Sequence, residues 1–228
     1  MAVTTPRERI LAAAAHLLAS GGREAVSTRA VSAAAGVQAQ TIYRQFGDMA
    51  GLFAAVADGA WASYLEQKRS GEKYDDPLAD LVAGWDLHVE FGLANPALYK
   101  LIFSDSRPSQ PSAISGEGHD LLAGILRRVA AAGRLRVPVE TATPMVYAAS
   151  VGATLALIAA QGTGTLEQHR ALSHNLRDAV LAAVLAAPTS DGVGSPAVAL
   201  KAALPAVADR FSPAERVLLG EWLDRIAP

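Results

Sequence analysis

Apolar side chains recur along the chain at three- and four-residue intervals and never alternate convincingly over strand length, which predicts an all-α protein. The first stripe, Ile10, Leu11, Ala14, Leu17 and Leu18, predicts a helix that opens on Pro6 after Thr4 or Thr5 and stops at Gly21-Gly22. A short helix follows from Ser27 and Thr28, both N-cap types, with Val31, Ala34 and Ala35 inward and Gly36 ending it in a left-handed turn. A second short helix runs from about Gln38 to Gln45, its inward side carrying Ile42 and Phe46. Gly47 and Asp48 then break the chain and cap a long helix, Met49 to Arg69, whose stripe is Leu52, Phe53, Val56, Ala60 and Tyr64.

Beyond a polar, turn-rich loop at 70–77, the same periodicity predicts helices over 78–94 and 97–103, the first with Leu81, Trp85, His88 and Gly92 along one side. A Ser-, Pro- and Gly-rich loop over 104–118 leads into a helix over 119–132, with Leu122, Ile125, Leu126 and Val129 inward and Gly133 at its end. Arg127, Arg128, Arg134 and Arg136 gather there, where a solvated face near a helix C-terminus favours cations. Two long helices, 138–161 and 166–187, are joined by a Gly-Thr-Gly-Thr turn. Ala149, Ala153 and Ala156 on the first, and Leu172, Leu176, Ala179 and Ala183 on the second, form faces suited to a four-helix bundle with a second copy. A linker-like stretch, 188–196, precedes helices over 197–210 and 213–226. The expected organisation is a three-helix domain over 1–48, a connecting helix over 49–69, a larger helical domain over 70–187, and additional helices over 188–228.

Composition narrows the chemistry. The 228 residues contain no cysteine, excluding disulfides, thiolate zinc and a cysteine nucleophile. No Glu-x-x-His pair and no Gly-rich phosphate loop after a strand is present, and His169 and His174, five apart, leave a common helix face, so no catalytic group, metal or cofactor is expected. The net charge of −2 is unevenly spread: residues 1–47 hold five arginines against two glutamates, a net +3, leaving −5 on the remainder. A basic head on an acidic body suits a protein that meets phosphate at one end. Arg7 and Arg9 before an apolar run imitate a signal peptide, but Glu8 and His16 interrupt it. The uncharged stretch 141–166 reads as a buried helix, because its continuously apolar part, 145–160, is shorter than the ~20 residues of a membrane span.

The residues left outward on the two short helices, Gln38, Ala39, Gln40, Thr41, Tyr43 and Arg44, suit a duplex groove: amides bond base edges, and Thr, Arg and Tyr hold phosphates. At these positions the chain resembles the tetracycline-repressor-like (TetR-like) family of bacterial regulators, whose pattern runs roughly T-x-R-x-I-A-x-x-A-G-V-S-x-x-T-L-Y-x-H-F. Arg29, Val31, Ala35-Gly36-Val37, Thr41-Ile42-Tyr43 and Phe46 match it in order and spacing, while Ser32, Gln38, Gln45 and Met49 depart from the usual Ala, Ser, His and Lys. The resemblance implies base contacts from Arg29 and Gln40, phosphate or sugar contacts from Thr28, Thr41 and Tyr43, and a possible phosphate contact from Arg7. It further implies a cytoplasmic homodimeric regulator, most often a repressor, on a palindromic operator, released by a mostly apolar small molecule. Trp85, His88, Phe91, Tyr99, Phe103 and Tyr147 are the residues considered for that effector's wall, His88 as its polar anchor. The alternatives are a helical enzyme or an adaptor that binds no DNA.

Overall fold

Thr5 opens the first helix through a reciprocal pair: its hydroxyl accepts from the Glu8 N–H at 3.2 Å, and the Glu8 carboxylate accepts from the Thr5 N–H at 2.7 Å. The Thr5 N–H foremost, and its hydroxyl after it, hold the Glu8 carboxyl below its usual value. The structure, a computed structural model, describes residues 5–71, 74–103, 113–186 and 194–226. Over these residues it is all-α: α1 Pro6–Ala25, α2 Thr28–Ala35, α3 Ala39–Phe46, α4 Met49–Ser70, α5 Pro77–Ala94, α6 Pro96–Phe103, α7 Ala113–Ala131, α8 Val139–Gly162, α9 Leu166–Val184, α10 Gly194–Ala203, a 3-10 helix Leu204–Arg210, and α11 Pro213–Ile226. Thr4, residues 104–112 of the expected loop, residue 187 at the end of an expected helix and residues 188–193 of the expected linker lie outside the described residues.

The chain forms two compact units, residues 1–71 with 90–114 and residues 72–89 with 115–228. In the first, α1 packs on α2, α3, α4 and α6. Ile10, Val31, Ile42 and Leu52, each fully buried, are its centre, and Phe53 and Val56 of α4 extend it. Ala97, Leu98 and Leu101 of α6 cover this core from another side, so α6 lies in one compact unit with α1–α4. The helix breaks at the Gly21-Gly22 pair, as expected, and a short further turn continues to Ala25. Gly22 leaves helical geometry (φ 69°, ψ −170°), after which helix resumes to Ala25 and Val26 tucks into the core.

In the second unit α8 and α9 form the most extensive helix pair. By length and composition alone α8 could cross a membrane. Here it buries Ala142, Val146, Ala153, Leu157 and Ile158, while its buried Thr143, Ser150 and Thr154 donate to carbonyls of their own helix. The Trp85 indole N–H donates to the buried Ser173 hydroxyl at 2.8 Å, and Arg177 reaches Asp86 at 3.0 Å, tying α5 to α9. The arginine cluster is structural rather than merely solvated. Arg128 bonds Asp80 and the Tyr74 carbonyl, Arg134 bonds Asp76 at 2.7 Å, and Arg136 donates to the Ala183 carbonyl at 2.8 Å. Helix α7 starts at Ala113, six residues before the expected His119. Pro205, which has no N–H to donate, coincides with the change from α10 to 3-10 geometry where one helix was expected.

Candidate nucleic-acid interface

The α2–α3 turn is built from caps. Ser27 accepts from the Ala30 N–H at 3.2 Å, Gly36 takes the left-handed conformation (φ 62°), and the Val37 N–H returns to the Ser32 carbonyl at 3.1 Å. Asp48 caps α4 by accepting from the Gly51 N–H at 2.7 Å. Val31, Ala35 and Ile42 are thereby buried, whereas Ala34, expected inward, is exposed. Phe46 is half-buried, with the Arg7 guanidinium 5.3 Å from its ring centre.

What remains outside is a continuous polar surface. Arg29, Gln38, Ala39, Gln40, Tyr43 and Arg44 are exposed, and Thr28 and Thr41 are half-buried. The Thr28 hydroxyl and the Tyr43 phenol lie 3.0 Å apart, which joins α2 to α3 across the exposed side. Gln38 makes no side-chain cap bond, so its amide stays available, and neither helix carries an acidic residue. Backbone N–H groups at the start of α3, two arginines and several hydroxyls can all meet phosphate, while the two amides and Arg29 can reach base edges. Met49 packs against the head's core, which explains an apolar side chain at this departure from the family pattern. The buried Ser32 hydroxyl has no partner among the described residues. Ser32→Ala should therefore raise the stability of the head by ~1 kcal/mol, measured by thermal unfolding, with the exposed face unchanged.

The six residues considered for an effector are divided between the two compact units. Trp85, His88 and Tyr147 are in the second unit, and the Trp85 N–H is already committed to Ser173. His88 is buried, and Tyr147 lies against His119 with ring centres 4.0 Å apart, burial raising its phenol's pKa. None of the six lines the cavity of about 230 Å³ in that unit, which is walled by Arg127, Pro138, Glu140, Val198, Lys201 and Pro205. Phe91, Tyr99 and Phe103 instead join Trp61 and Tyr64 of α4 in a five-ring cluster of the first unit, with centres 4.4 to 6.4 Å apart between neighbours. Lys68 closes one side, its ammonium 5.7 Å from the centre of the Tyr64 ring. Trp61 and Lys68 were not singled out from the sequence. The spacing 57, 61, 64, 68 is a second helical stripe on α4 that could have revealed them.

Of the expected interface residues, Ala156, Leu172 and Ala179 are exposed and Ala149, Leu176 and Ala183 are half-buried. Ala153 is 1 % exposed and faces the interior of its own unit, so it cannot be on a surface offered to a second copy. The exposed stripe of α8 is instead Met145, Ala148, Gly152, Ala156 and Ala159.

Residues 10–56 match the family model of bacterial regulatory proteins, tetR family. Among solved structures, a protein of unknown function from Rhodococcus sp. RHA1 superposes with a TM-score of 0.62 at 21 % identity, over 80 % of this chain and 96 % of that one. A TetR transcriptional regulator of Streptomyces coelicolor gives 0.58 at 17 % identity, over 77 % and 97 %. A TetR variant from Acinetobacter baumannii AYE, in complex with minocycline, gives 0.54 at 20 %, over 76 % and 93 %. Likenesses at such identities establish a shared fold. No curated protein matches the chain.

Proposed function

We propose that the chain, whose residues 10–56 match the family model of bacterial regulatory proteins, tetR family, is a cytoplasmic transcriptional regulator that binds an inverted-repeat operator as a homodimer and is released by a small molecule. The observation that carries this reading is the acid-free exposed face of α2 and α3, where Arg29, Gln38, Gln40, Thr41, Tyr43 and Arg44 stand on a turn fixed by caps at both ends. A repressor is the form of regulation that the resemblance favours.

Response to a ligand is supported by α6. Its Ala97, Leu98 and Leu101 lie on the core of the reading head, while its Tyr99 and Phe103 enter the aromatic cluster against α4. A molecule that displaces the cluster would move α6 and α4 together, and with them the support of α3. It releases DNA only if it binds the displaced arrangement more tightly. The minocycline complex of a protein with this fold is consistent with a small-molecule effector.

The test is a set of binding titrations on operator and unrelated duplexes. Arg29→Ala and Gln40→Ala should each cost ~1–3 kcal/mol on the operator and relax its preference over other sequences, whereas Tyr43→Phe should weaken both alike. Parent-like binding by both alanine variants would remove the assigned recognition surface.

A further inference from the structure

The cavity of about 230 Å³ in the second unit is walled from α7 and the start of α8, which supply Arg127 and Glu140, and from α10, which supplies Val198, Lys201 and Ala202. The rest of its wall is proline and valine, so no uncharged polar side chain lines it. Three charges reach the space. The Lys201 ammonium is committed to the Asp224 carboxylate at 2.6 Å, which ties α10 to α11. Arg127 and Glu140 differ from it: they carry opposite charges, wall the same cavity from different helices, and neither side chain has an ion pair or hydrogen bond with the other or with any described residue. A simple acid would gain Arg127 but meet Glu140 as a like charge, and a simple amine would gain Glu140 but meet Arg127. A molecule carrying both charges uses both residues. At about 30 Å³ per water the cavity has room for roughly eight, which suits a branched aliphatic side chain with its amino and carboxyl groups and excludes a fused ring system.

We propose that this cavity binds a free apolar α-amino acid of leucine size, with Arg127 taking the carboxylate, Glu140 the ammonium, and the proline and valine wall the side chain. A peptide bond at either group removes one of the two charges, which selects the free amino acid over a chain end. The inference goes beyond the regulatory reading and makes no use of it: the site stands whether or not the chain reads DNA.

The experiment is calorimetric titration of the full chain with L-leucine, with 4-methylpentanoate, which lacks the ammonium, with leucinamide, which lacks the carboxylate charge, and with glycine, which lacks the side chain. Leucine should bind about tenfold tighter than each of the other three. Arg127 and Glu140 are both exposed, so their substitution leaves the fold intact, which circular dichroism checks. Arg127→Gln should abolish the advantage over leucinamide and keep that over 4-methylpentanoate. Glu140→Gln should do the reverse. Ala202→Leu, which puts a side chain of the ligand's own size against the cavity, should weaken leucine about tenfold and so tie the binding to this space. No leucine binding at millimolar concentration, equal binding of the four compounds, or preferences unchanged in both charge variants overturns the proposal.

Discussion

Gly51→Ala should be among the most damaging single-methyl changes in the reading head, lowering its melting temperature by several degrees and weakening DNA binding with it. A Cβ at Gly51 would run into the backbone carbonyl oxygen of Phe46, the last residue of α3, because the first turn of α4 lies directly on the end of the recognition helix. Backbone cannot rotate away as a side chain can, so α4 and α3 must separate. Overpacking of this kind costs ~1–3 kcal/mol, and in a domain of this size each kcal/mol shifts the melting point by about 4–8 °C. Gly59, about two turns further along the same helix but with open space around its Cβ position, is the internal control. Gly59→Ala should stabilise α4 by ~0.5–1 kcal/mol, since the same methyl there only removes backbone freedom from the unfolded chain. Equal melting points for the two variants would show that α3 and α4 do not meet as described.

Ala156→Glu and Ala179→Glu should yield folded monomers that bind operator about 10²- to 10⁴-fold more weakly, since loss of the second head removes the effective-concentration advantage of a linked pair. Both residues are exposed on the α8–α9 pair, so a glutamate costs nothing within one chain and is penalised only when a second apolar face must cover it. Ala153→Glu should behave differently. At 1 % exposure its carboxylate would be buried inside its own unit, and the chain should unfold rather than dissociate. Light scattering and thermal unfolding of the three variants separate these outcomes. Dimers from Ala156→Glu and Ala179→Glu would move the interface off this pair, and a folded Ala153→Glu monomer would contradict the orientation of α8.

These cases also mark where the sequence was legible. Ser27, Gly36 and Asp48 declare their caps through side-chain chemistry and backbone preference, which act locally and need no knowledge of the fold. Gly21-Gly22 marks a real break, Gly22 taking a positive φ that a residue with a β-carbon resists, but the turn that follows it to Ala25 has no such local signal. The phase of α8 was unreadable for a different reason. A helix rich in Ala, Ser, Thr and Gly has little contrast between its faces, so Ala153 and Ala156 look alike until α9 covers one of them. The placement of α6 on α1 and α4 is a tertiary contact with no local signature. For the same reason the sequence did not show that the expected effector residues divide between two units, Trp85, His88 and Tyr147 in one and Phe91, Tyr99 and Phe103 in the other.

The recognition surface stands or falls on what DNA the protein selects. Repeated selection from a pool of random duplexes by the parent protein should enrich an inverted repeat whose half-sites lie about one helical turn, 34–36 Å, apart, or a multiple of it. The same selection with Arg29→Ala should lose the preference at the base pairs that this side chain reads. Enrichment of no sequence at all, or of the same sequence by the parent and by a variant lacking both Arg29 and Gln40, would contradict sequence reading by α2 and α3.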